Sequence, residues 1–97
     1  MVTLRIEHAI RDYSSWKAAF DGDPVGRERL HVRSYRISQP VDDPKYVMID
    51  LDFDSSTEAE ALLNAMRRVW TSVEGVIMMN PQTRISEVLE SKHYPNS

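Results

Sequence analysis

The 97-residue chain contains no cysteine and only three glycines. Without thiols there is no disulfide framework, no thiolate nucleophile and no sulfur-ligated metal. No Gly-rich phosphate loop and no nucleophile elbow occurs, which excludes nucleotide and serine-hydrolase chemistry. No apolar run approaches the roughly 18 residues of a membrane span, and the first residues enter an alternating pattern with no leader-like segment. A cytoplasmic protein with no membrane partner is expected. A basic excess is also missing: 12 Lys and Arg stand against 15 Asp and Glu, a formal charge of −3. Phosphate backbones are bound by clustered cations, so no nucleic-acid partner is expected.

What is present reads as one α+β domain over residues 1–90, followed by a polar tail at 91–97. A domain this small buries only about 60 to 70% of its unfolded surface, so a second subunit would add core. Residues 2–9 alternate, with Val2, Leu4, Ile6 and His8 in one phase, as in a half-buried strand. Asp12 is placed to cap a helix over 12–21, in which Tyr13, Trp16 and Phe20 share a side. Gly22 and Pro24 end it, and Asp23 with Pro24 could open a further helical turn through GRER, residues 26–29. Residues 32–38 read as a second strand, with Tyr35 and Ile37 on one face, and QPVDDPK as a hairpin connection.

Residues 46–53, YVMIDLDF, are the most informative stretch. Val47, Ile49, Leu51 and Phe53 form an apolar face, and Tyr46, Met48, Asp50 and Asp52 form the other. Two overlapping capping boxes, Ser55 with Glu58 and Thr57 with Glu60, open the second helix. Its apolar stripe is Ala59, Leu62, Leu63, Met66, Val69 and Trp70, and Arg67 and Arg68 are placed to complement the dipole at its end. Residues 73–82, with Gly75 and Pro81, read as a frayed turn or buried loop, and 83–90 as the last strand. Ile85 and Leu89 share one phase of it.

The order strand, helix, strand, strand, helix, strand, with one apolar stripe per helix, predicts a ferredoxin-like βαββαβ sandwich: a four-stranded antiparallel sheet with both helices on one face. The first and third strands become neighbours, which places Arg5 and Glu7 beside Asp50 and Asp52 and predicts an Arg5–aspartate pair. The open face also carries Tyr46 and Met48. A partner sheet could cover it, giving an isologous homodimer.

HAIRDYSSWKAAF, VRSYRI, PVDDPKYVMIDLDF and SSTEAEALL together resemble the dimeric α+β barrel superfamily, over about residues 2–90. That group includes antibiotic-biosynthesis monooxygenases, haem-degrading oxygenases and muconolactone-isomerase-like enzymes. The resemblance implies a dimeric barrel and, in each subunit, a cleft between sheet and helices for a small apolar or aromatic molecule. In the monooxygenase and haem-degrading branches the first-strand position is usually Asn and the second helix carries a Trp. Here those places are matched by His8 and Trp70. The haem branch adds an axial His soon after that helix, and residues 71–82 contain none. The resemblance therefore points to chemistry with no cofactor.

His8 is the candidate catalytic residue. It is the one ionisable group in the apolar phase of its strand, so it is aimed at the layer between sheet and helices, where a neutral imidazole can act as base. The other reading is a core-edge histidine bonded to a backbone carbonyl. Trp16, Phe20, Tyr35, Met66 and Trp70 are the candidate substrate-binding residues, although the same spacings also describe ordinary core. Met78 and Met79 are candidate wall residues. His31, His93 and the DGD of 21–23 have no partners at ligand spacing, so no metal is expected. Asp50 and Asp52 read as partners for arginines.

Two function classes follow: a cofactor-free monooxygenase or isomerase of aromatic or polyketide-like substrates, and a non-catalytic sensor or carrier that binds such a metabolite. RNA binding on the same topology needs basic and aromatic residues where the third strand presents aspartates.

Overall fold

The computed structural model describes residues 1–23, 25–73 and 78–95, with the backbone alone for 71–73 and 78–80. Its elements are β1 (Val2–Ile10), α1 (Tyr13–Asp21), β2 (Ser34–Ser38), β3 (Tyr46–Phe53), α2 (Ser56–Val73) and β4 (Met78–Glu87). They form the ferredoxin-like βαββαβ arrangement, a four-stranded antiparallel sheet in the order β2-β3-β1-β4.

The alternation in β1 and β3 decides which face is dry. Leu4, Ile6, Val47, Ile49, Leu51 and Phe53 are all buried, in one cluster with Trp16 of α1 and Ala59, Leu62, Leu63 and Trp70 of α2. Both helices therefore cover the same side of the sheet. Asp12 caps α1 by accepting a hydrogen bond from the Ser15 amide at 2.8 Å, as its short carboxylate at that position predicts. Ser55 caps α2 by accepting from the Glu58 amide at 3.3 Å.

The structure corrects several sequence expectations. β4 starts five residues earlier than 83 and stops at Glu87. The Val88 amide still donates to the Met1 carbonyl at 2.9 Å, just past the last strand residue. Leu89 is exposed there instead of packing with Ile85. β2 begins at Ser34, not residue 32. The turn after α1 is not a helix: Asp23 has a left-handed φ of 50°, which a capping residue does not adopt, and its Oδ1 accepts from the Arg27 amide at 2.9 Å. In α2 only the Ser55 cap forms, since Thr57 already lies inside the helix. The helix runs on to Val73, so Arg67 and Arg68 are outside its last turn. Of the loop expected at 73–82, residues 74–77 lie outside the described residues.

Candidate functional site

His8 lies on β1, the strand flanked by β3 and β4, and it is 2% exposed. The pairing around it is uneven. On one side it faces Val47 of β3 in regular register. On the other, Glu7 pairs with Gln82 and Ala9 with Met79, so Asn80 and Pro81 together stand opposite His8. An irregularity of two residues against one is a β-bulge, a device that re-aims side chains and recurs beside active sites. Pro81 accounts for it physically, because it has no N–H to give a ladder.

The imidazole Nδ1 is 3.1 Å from the Ala9 carbonyl oxygen. A carbonyl can only accept, so Nδ1 carries the proton. Burial pushes the His8 pKa down, and the bond to Ala9 opposes this more weakly. The neutral ring thus has its lone pair on Nε2, which has no hydrogen-bond partner among the described residues. This is the protonation pattern of a base, and the carbonyl contact is also what a structural core-edge histidine makes.

Four of the sequence-selected residues form one row. The His8 and Trp16 ring centroids are 6.1 Å apart, those of Trp16 and Phe20 5.2 Å and stacked, and those of Phe20 and Tyr35 5.1 Å and edge-on. Such offsets and edge contacts suit the aromatic quadrupole. The row runs from the buried histidine to Tyr35, which is 47% exposed. Tyr13 joins at its side, 5.8 Å from Trp16. Trp70 is buried on α2 and Met66 is partly buried against the core. Among the described residues no ring contact ties Trp70 to the row. The side chains of Met78 and Met79 lie outside the described residues.

One member of the row was not anticipated. The Arg27 guanidinium lies 3.8 Å from the Phe20 centroid and 5.3 Å from that of Tyr35, and its Nη1 donates to the Phe20 carbonyl at 2.9 Å. The sequence holds one signal for it, the Asp23–Arg27 spacing of four, seen as an ion pair at 3.6 Å.

The opposite face of the sheet is polar. Arg5 holds Asp50 at two points, Nε to Oδ1 at 2.8 Å and Nη2 to Oδ2 at 2.9 Å. Arg36 reaches the same Oδ2 at 3.3 Å. Asp52 accepts from the hydroxyls of Thr3 at 2.7 Å and Ser34 at 2.9 Å. The Tyr46 hydroxyl donates to Glu7 at 2.8 Å, which raises the tyrosine pKa. His31 is exposed and left-handed at φ 73°. Among the described residues no group of three or more His, Asp or Glu is placed to hold a metal, and no helix is long and apolar enough to cross a membrane.

Solved structures share this arrangement. A protein of Deinococcus radiodurans assigned to the antibiotic biosynthesis monooxygenases superposes with a TM-score of 0.67 at 12% identity, over 97% of this chain and 98% of that one. A dimeric ferredoxin-like protein from an uncultured marine organism gives 0.67 at 8% identity, over 94% and 97%. The chain has the fold of the dimeric α+β barrels. A third structure, a point mutant of MhuD with two manganese protoporphyrin IX molecules bound per active site, gives 0.54 at 11% identity, over 95% and 99%. No protein-family model and no curated protein matches the sequence. Residues 71–82 of this chain contain no histidine.

Proposed function

We propose that two copies of the chain pair through the open faces of their sheets, and that each copy holds a small apolar or aromatic molecule between its sheet and its helices. His8, Trp16, Phe20, Tyr35, Met66 and Trp70 are the residues assigned to that site, with His8 as its base. The reading rests on one observation above the rest: a buried imidazole whose Nδ1–H is committed to Ala9, leaving Nε2 as the basic nitrogen. A phenol-like substrate that gives its acidic proton to Nε2 becomes an electron-rich anion. That anion can pass an electron to dioxygen, combine with the superoxide formed and lose water to leave a quinone-type product, or it can take the proton back at a ring carbon. Either route asks of the protein only a base and a dry site. The like fold of a monooxygenase-assigned protein supports the first outcome.

The test compares the wild type with His8→Ala against planar phenols and quinones, by thermal shift and by oxygen uptake. Binding by both proteins with turnover only by the wild type is expected. Equal behaviour of the two proteins removes His8 from the chemistry. A second reading, a carrier or sensor that binds without turnover, is favoured by the closure of His8 onto its own strand at 2% exposure. Binding without oxygen uptake or isomer formation selects it.

A further inference from the structure

The geometry points to a small-oxyanion site on the open face of the sheet, between Arg84 of β4 and Arg5 of β1. It rests on the pairing of two copies proposed above. A groove of about 640 Å³ runs along this face, and its lining includes three guanidinium groups, Arg5, Arg36 and Arg84, against two carboxylates, Glu7 and Asp50.

Of the two carboxylates, Asp50 is the one paired with guanidinium groups, those of Arg5 and Arg36, and Glu7 receives the Tyr46 hydroxyl. Arg84 is left over: it makes no hydrogen bond or ion pair among the described residues. The register sets it directly opposite Arg5 across the β1–β4 ladder, and like charges in that relation repel. Ser86, two residues along the same strand and on the same face, adds a hydroxyl to the groove.

In a single copy, water solvates the exposed Arg84. A second sheet laid over the face would remove that water, and an enclosed guanidinium is costly unless a counter-charge meets it. Two-fold symmetry repeats this requirement once in each copy. An oxyanion meets it, since guanidinium groups grip such anions at two points. Phosphate and small dicarboxylates share this chemistry.

The experiment titrates the full chain with inorganic phosphate, and separately with succinate, in chloride buffer of matched ionic strength. Oligomeric state is read by sedimentation and the melting midpoint in parallel. A dimer that one or both anions stabilise beyond chloride is the expected result, with the effective anion weakened about ten-fold or more in Arg84→Gln, a loss of one charge-assisted contact. Arg84→Lys keeps the charge and retains part of the response, which guards against misfolding of the Gln variant. A dimer that responds to phosphate, succinate and chloride alike overturns the anion site while the pairing stands. A chain that stays monomeric throughout overturns the pairing itself.

Discussion

Arg5 and Asp50 sit directly opposite one another on β1 and β3, and their side chains close a two-point contact at 2.8 and 2.9 Å. Asp50 is 6% exposed although it lies on the open face, because the arginines cover it. The hydrogen bond from Arg5 is the main cause that holds the Asp50 carboxyl below its ordinary pKa of 3.8. A carboxylate with a lowered folded pKa contributes stability that is complete above the unfolded value and is lost as pH falls through the folded one. Asp50→Asn is therefore expected to lower stability by about 1 to 2 kcal/mol at pH 7, kept modest because Arg5 is half in water. Urea midpoints across pH 2 to 6 check this: the variant loses less stability on acidification than the wild type.

His8 titrates with the same sign for a different reason. Burial lowers its folded pKa below 6.5, so the unfolded chain takes up the proton first as pH falls. Stability is complete above about 6.5 and declines below it until the folded value is passed. Nitrogen chemical shifts of the imidazole at pH 7 are expected to show a protonated Nδ1 and a bare Nε2. The opposite tautomer would remove the proposed base.

Phe53 is fully buried at the end of the apolar face of β3. Phe53→Ala deletes a ring from the packed cluster and is expected to cost about 3 to 5 kcal/mol. For a 97-residue chain with no disulfide, that is a large share of total stability. Equilibrium urea unfolding measures it, with the slope unchanged if the transition remains two-state.

Ser55→Ala removes the side-chain acceptor at the start of α2 and is expected to cost about 1 kcal/mol. The same unfolding experiment resolves it, and Thr57→Ala, at an exposed position inside the helix, serves as the comparison with no loss expected, since alanine is the better helix former.

The parts of the fold that were legible in the sequence are those where burial acts on one side only. β3 was readable to the residue because Asp50 and Asp52 alternate with an unbroken apolar set, and an Arg5–aspartate pair followed from the strand order, the register selecting Asp50. β4 was misplaced because Gly75 and Pro81 are read locally as breakers, whereas an irregular ladder accommodates the proline. Of the candidate site, the helical spacing of Trp16 and Phe20 and the phase of Tyr35 foretold the row of rings. The place of Arg27 depends on a non-helical turn, with left-handed Asp23 and Gly26, that no periodic pattern encodes.

Pro81 has an effect beyond the vicinity of His8. β4 and β2 are the two margins of the sheet, and unsatisfied amides along a margin invite strands from other molecules. A proline interrupts that row on β4, and β2 offers only five residues. Both borders are thus poor templates for fibril growth, so any self-association at high concentration should proceed through the faces of the sheet.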